Sequence, residues 1–414
     1  MKPVIGIIAE YNPLHNGHRL MMEAARERLG DVPVVVALSS NFTQRGGPAL
    51  CDKWTRAKMA LQCGADLVLE LPFFFSCAAA PDFSAGAVDI LARTHLVTHI
   101  AFGMENPQED ITPIIDVLLN EPPKFKQCLN EQMKRGASYP KAAANALENI
   151  IPSSGTFTSF PNNLLALSYL LHIKRRGYPL LPLPLSRVGA GHAEETLGPL
   201  TSAGAIRAAL NGGASLKDGG PLAAAMPDTS LSLLREAEEA GQLCRSSEKL
   251  WPLLQTLFLR STRHDLQQFD GMDEGIENLF LKRWREAEGV DDFVGCCVST
   301  RYTQGHIRRR LIRLLMGVNR WTAQALRRAG VPYARVLGFT ARGRELLRTR
   351  GRASELPLIT RLAAAEGPIG KSAAQMEFRA SALYELLLPC PDLHHEERAL
   401  PVILNAEPRI NLRV

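Results

Sequence analysis

The chain of 414 residues is 46% hydrophobic and 22% charged, with a formal net charge of +6. This is ordinary globular composition, long enough for two or three domains, and it excludes a disordered, collagen-like or disulfide-stapled protein. The eight cysteines contain no Cys-x-x-Cys pair, so reduced thiols and no protein-bound metal are expected. The first apolar run is too short for a secretory segment, and the longest, residues 67–81, contains Glu70 and Pro72. A cytoplasmic protein with no membrane partner is expected.

In chain order, residues 4–8, 34–38, 66–71 and 98–102 form short β-branched and leucine-rich runs that predict buried strands. Amphipathic stretches at 18–29, 53–63 and 85–93 alternate with them. Strand–helix alternation of this kind predicts a doubly wound parallel sheet, with ligands bound beyond the carboxyl ends of the strands. Residues 112–171 are mostly helical in pattern, 178–185 extended and 202–210 helical. The stretch 211–220 is the most glycine-dense of the chain, and a boundary is placed there. The expectation is an α/β, Rossmann-like domain over 1–212 and an α-rich domain over 213–414, with at most a small strand pair near 334–339.

Charge is unevenly spread. Residues 228–295 hold 14 acids and 8 bases, whereas 301–360 hold 14 arginines, no lysine and two acids, a net of +12. Such a field favours a polyanionic partner. In the helix predicted over 303–318, Ile307, Leu311, Leu314, Leu315 and Val318 share one face. Arg308, Arg309, Arg310, Arg313 and, further on, Arg320 fall elsewhere, as a surface tracking an RNA backbone would require.

The sharpest feature is the run from Glu10 to His18, directly after the first strand and opening the first helix. A helix start at this place presents amides to an anion, and Gly17 allows close approach to the backbone. His15 and His18, three apart, can both point at one phosphate and stabilise the charge that develops there. A metal on His-x-x-His would need further ligands, and no nearby Cys, Asp or third His completes a set.

His15-Asn16-Gly17-His18 resembles the HxGH signature of the nucleotidyltransferase superfamily that includes class I aminoacyl-tRNA synthetases. The longer run beginning at Ala9, with Phe42-Thr43-Gln44-Arg45-Gly46, Phe102-Gly103-Met104-Glu105-Asn106 and Pro161-Asn162-Asn163, resembles the bacterial tRNA(Met) cytidine acetate ligases. Further similar blocks carry the resemblance to about residue 385. It implies an enzyme that makes acetyl-adenylate and pyrophosphate from acetate and ATP. Mg²⁺ would accompany the phosphates. The acetyl group would pass to the wobble cytidine of elongator tRNA(Met), giving N4-acetylcytidine, with no obligate protein partner.

Carried over by position, the resemblance implies ATP contacts from Ile8, Ala9, Glu10, Tyr11, Asn12, Pro13 and Leu14 through His15, Asn16, Gly17 and His18 to Arg19, Leu20 and Met21. Gly103, Asn162 and Arg187 would complete the nucleotide site. Ser202 and Arg207 match a second phosphate motif, in which Gly204 stands where a hydroxyl is common. Two other readings fit parts of the sequence. A nucleotidyltransferase acting on a small phosphorylated metabolite would leave the +12 segment unused. A non-catalytic RNA-binding module on the same scaffold draws support only from Gly204.

Overall fold

A computed structural model of the chain describes residues 2–187, 198–217, 220 and 222–404. Strands β1 (Ile5–Ala9), β2 (Val34–Ser39), β3 (Leu67–Leu71) and β4 (His99–Met104) form where the apolar runs predict them. All are parallel, in the order β4-β1-β2-β3. The order reverses between β1 and β4, which opens a crevice at their carboxyl ends, the usual ligand position in such sheets. Strand β5 (Leu181–Ser186) adds parallel to β4 at the edge, where Pro182 and Pro184 interrupt no inner ladder.

The second half returns to this sheet. Strand β6 (Ala334–Thr340) pairs antiparallel with β3, and β7 (Leu358–Ile359) and β8 (Val402–Leu404) both pair with β6. The expected small strand pair is therefore the continuation of the main sheet. The glycine-dense stretch does not divide two independent cores, because the sheet spans it. Within that stretch, Asp218 and Gly219 lie outside the described residues, as does the adjacent Pro221.

Two apolar layers cover the sheet. On one face Met22 and Ala25 of the first helix (Asn16–Leu29) pack with Ile5, Ile7, Val34 and Val36. On the other, Val35, Leu67, Leu69 and Phe102 meet Phe73, Phe74 and Phe75, and the same layer runs on to Ile307, Leu311 and Tyr384 of the second half. No helix among the described residues is long and apolar enough to cross a membrane. All eight cysteines are free.

A buried ionic cluster joins the halves. Lys53, which opens the helix Lys53–Gln62, places Nζ 2.5 Å from Glu70 on β3, 2.8 Å from Glu377 and 2.9 Å from Glu396. Arg335 on β6 bonds Glu70 and Glu396 in turn. All five side chains are buried, so Lys53 is no solvated helix residue. Burial and the neighbouring Glu377 raise the Glu70 carboxyl, whereas Lys53 and several hydrogen bonds hold Glu377 low against its own burial. Two cations and three carboxyl groups thus satisfy one another within the cluster.

Candidate active site

The turn after β1 is built from buried side chains. Tyr11, Asn12 and Leu14 are enclosed, and Tyr11 meets the His18 ring edge-on at 4.9 Å. Asn12 Oδ1 accepts from Leu50 N at 2.8 Å. Arg56, itself buried, donates to the carbonyls of Glu10, Ser39 and Ser40 and so fixes the ends of β1 and β2 together.

His15 is the N-cap of the first helix. Its Nδ1 accepts from Gly17 N at 3.1 Å, and His18 Nδ1 accepts from His15 N at 3.3 Å, a capping box made of two imidazoles. Main-chain N–H groups can only donate, so both rings carry their proton on Nε2 when neutral. Burial, aided by the charge of Arg187, pushes His15 down to about 4. Burial, then His15 and Arg187, holds His18 well below its ordinary value. Two neutral rings, their centroids 3.8 Å apart, therefore offer two Nε2–H donors at pH 7. With both Nδ1 atoms occupied, the pair suits an oxyanion rather than a metal held through Nδ1.

Asn16 serves the scaffold. Its main-chain N donates to Ala225 O, and its Nδ2 donates to Pro199 O and Ala224 O. Arg19 pairs with Glu23 on the helix surface, and Met21 packs on the core. Ile8 and Ala9 end β1, and Leu20 is partly buried on the same helix.

Gly103 ends β4 across the crevice, and a Cβ placed on it would meet nothing within 4 Å. That open space is what a nucleotide lying against the strand end needs. Beside it, Glu105 gathers the other expected residues: Asn162 Nδ2 donates to Oε1 at 2.6 Å, and Arg187 Nη1 lies 3.5 Å from the same oxygen. Asn163 returns a reciprocal pair, its N–H to Glu105 Oε2 and its Oδ1 from Glu105 N. Sequence reasoning assigned Glu105 no role, although it stands inside a motif quoted for the resemblance. An acid two residues past a strand-end glycine was the available signal.

Ser202 caps the helix Ala203–Asn211 through Ala205 N at 3.2 Å. At Gly204 a Cβ would touch only Ser202 Oγ, at 3.7 Å, so nothing in the packing requires glycine there. Arg207, on the next turn, donates to Asn12 O at 2.5 Å and Ala203 O at 3.2 Å. The second phosphate motif thus touches the turn that carries the histidines.

The basic helix Gln304–Leu315 differs from expectation. Arg313 is buried and bonds Cys77 O, Phe74 O and the Asp270 carboxylate, so it cannot track RNA. Arg310 is partly buried and donates to Asp270 O. Arg309 reaches Gln44 O in the first half at 2.8 Å. The arginine face packs against other elements because Asp270 and free carbonyls await it there. Arg308 pairs with the exposed Asp291 at 2.8 Å, and Arg320 stays exposed above the Trp321 ring.

Residues 1–398 match the family model described as HIGH Nucleotidyl Transferase. A tRNA(Met) cytidine acetate ligase of Acetivibrio thermocellus is 34% identical over 94% of this chain and 96% of its own. One from Clostridium perfringens is 31% identical over 97% of this chain and 99% of its own. The chain belongs to the HIGH nucleotidyltransferases and, within them, to the tRNA(Met) cytidine acetate ligases. A crystal structure of ligand-free Thermotoga maritima TmcAL matches with TM-score 0.90 at 27% identity, covering 98% of this chain and 100% of that one. The same protein bound with alpha-thio ATP matches at TM-score 0.88, with the same identity and coverage. In this HIGH nucleotidyltransferase His15 and His18 stand at the head of the first helix, beyond the carboxyl end of β1.

Proposed function

We propose that this crevice activates acetate with ATP and that the enzyme acetylates the wobble cytidine of elongator tRNA(Met). The observation that carries the chemistry is the pair of buried imidazoles at a helix start, held low by burial, whose Nε2–H groups have no hydrogen-bond partner among the described residues. An acetate oxygen attacks the α-phosphorus of ATP. As that bond forms, the bond from phosphorus to the bridging oxygen breaks and pyrophosphate leaves. His15 and His18 donate to the oxygens on which charge develops, and being neutral they need not lose a proton. Arg207 and Arg187 hold the phosphates, and Mg²⁺ travels with them as part of the nucleotide. Gly103 and Asn162 lie against the nucleoside.

In the second step the cytidine N4 attacks the acetyl carbonyl of the adenylate. The C–N bond forms, AMP leaves with the anhydride oxygen, and N4 gives up a proton. The cytidine amine is a weak nucleophile, and this is why a mixed anhydride must be prepared first. Residues up to 212 carry the adenylating chemistry, and those arginines further on that keep access to solvent, the exposed Arg320 and the partly buried Arg308 among them, meet the tRNA. A tRNA substrate and reduced thiols fit a cytoplasmic location.

The test is mass spectrometry of tRNA(Met) incubated with the enzyme, ATP and isotopically labelled acetate. One labelled acetyl group should appear at the wobble cytidine, in an ATP-dependent manner. Pyrophosphate release that needs a phosphorylated metabolite instead of acetate would refute the assignment.

A further inference from the structure

The loop after β2 is shaped with unusual care for a surface loop. Phe42 and Pro48 bridge its two arms, Thr43 N donates to Gly47 O at 3.0 Å, and Gly46 N donates to Thr43 O at 2.9 Å. Gly46 has φ +77, and a Cβ there would sit 2.4 Å from the main-chain N of Arg309. Only glycine lets the loop lie this close to the helix Gln304–Leu315. Arg309 then donates to Gln44 O, and Gln44 N donates to Glu10 Oε1, each at 2.8 Å. A continuous chain of contacts thus runs from the second half to the turn after β1.

Arg45 stands at the tip of this loop, next to Gln44. Its side chain is exposed and has no hydrogen-bond or ion-pair partner among the described residues. Arg207 approaches the same turn from the other side, through Asn12 O, two residues from Glu10. Burial lowers the proton affinity of Arg207 against the pull of Glu10, and the charge of Arg45 adds to the lowering. Arg45, next to the Gln44–Glu10 bond, and Arg207, at Asn12 O, bring two arginines to the turn after β1, where Glu10 is already bonded to Gln44 N, and this leaves a surplus of positive charge. An anion would relieve it.

We propose that Arg45 is a further contact for the phosphates of ATP, and that Arg309 is a positioning residue that sets the Gln44–Gly47 loop rather than an RNA contact. The proposal rests on the adenylating reading of the crevice. It also gives the tRNA-facing half a mechanical connection to the nucleotide site, since whatever shifts the Gln304–Leu315 helix shifts Gln44, and with it Arg45.

The test uses the full-length enzyme and three measurements: titration with ATP alone, acetate-dependent pyrophosphate release, and tRNA binding. Arg45→Ala should raise the KM for ATP by roughly tenfold or more, the scale of a charge-assisted hydrogen bond, with tRNA affinity unchanged. Arg45→Lys should recover part of the loss. Arg309→Ala should move KM the same way by less, and should add little on top of Arg45→Ala, because it acts through that residue. Arg309→Lys should restore it. If Arg309→Ala fails to fold, Arg309→Gln, which keeps an N–H donor, serves the same comparison.

An unchanged KM in Arg45→Ala would overturn the proposal. So would a loss of tRNA affinity in Arg309→Ala with KM intact, or fully additive losses in the double variant. A wild-type enzyme that binds ATP but releases no pyrophosphate with acetate would refute the proposed function instead, and the ATP titration would still decide the place of Arg45.

Discussion

The Lys53–Glu70–Arg335 cluster and the His15–His18 pair both lie near the carboxyl ends of central strands, and they handle buried charge in opposite ways. In the first, every cation has a carboxyl group within 3.3 Å and every carboxyl group has a cation. In the second, the rings are neutral, their Nδ1 atoms are bound to main-chain amides, and the nearby arginines outnumber the acids. A closed cluster has nothing left to offer a ligand. An open one has surplus donors and surplus charge, and those belong to binding. Lys53 opens the helix that follows β2 as His15 caps the helix that follows β1, so position alone does not distinguish the two roles.

Substitution should separate them. Lys53→Met leaves three carboxyl groups with one arginine, and removing one partner from a buried pair costs about 3–5 kcal/mol. Denaturant unfolding should show a loss of that size, and a variant within 1 kcal/mol of wild type, on the order of a surface pair, would mean that the cluster is not what joins the halves.

His18→Ala should do the reverse. Acetate-dependent pyrophosphate release should fall on the order of a hundredfold or more, the usual scale for one electrostatic donor, while ATP affinity drops less. His15→Ala should match it in rate and also lose a helix cap, about 1 kcal/mol of stability. Near wild-type rates in both variants would remove the histidines from the chemistry.

Acid should sharpen the contrast. Both site histidines sit below their ordinary 6.5, His15 at about 4. On acidification past 6.5 the unfolded chain takes up protons that the native protein refuses, so stability falls as pH drops from 6.5 toward 4. The slope is up to about 1.4 kcal/mol per pH unit for each ring. His395 works the other way: its hydrogen bond to Asp52 raises it, so its contribution is complete below 6.5 and fades as pH rises through the raised value. Thermal unfolding across this range should lose part of its acid slope in the His15→Asn, His18→Gln double variant, because burial also holds His306 down at about 4, whereas His395→Gln should affect the neutral side.

The difference between the regions also governs how much of each was legible in the sequence. The four parallel strands and the histidine turn follow local rules: apolar runs, alternating helices, a glycine at a helix start. The closed cluster follows none, because Lys53 meets Glu377 and Glu396 only after the chain has crossed the whole sheet. Strand β6 was visible as an extended run, but its antiparallel pairing to β3 depends on the same long-range return. Arg313 shows the limit most plainly. Helical spacing put it on a polar face, and that face is polar, yet it is turned inward to Asp270 and two carbonyls. Spacing gives the face of a helix and leaves open what covers it.

The charge count of residues 301–360 must therefore be divided before it predicts binding. Arg313 and Arg335 are buried, Arg327 grips Asp82 and Asp270, and Arg350 holds main-chain oxygens of Leu96 and Lys2. Arg320 keeps its charge in solvent, and Arg308 has a weak, exposed partner in Asp291. A surface arginine that meets a phosphate releases about 0.7–0.9 counterion, so Arg308→Ala and Arg320→Ala should each flatten the dependence of log K on log salt for tRNA by up to about one unit. Neither should move the KM for ATP, since neither bonds the turn after β1. A filter-binding titration at several salt concentrations measures both slopes. An unchanged slope in both variants would show that the exposed part of this basic segment is ordinary solvated surface, and would place the tRNA contacts on another face of the enzyme.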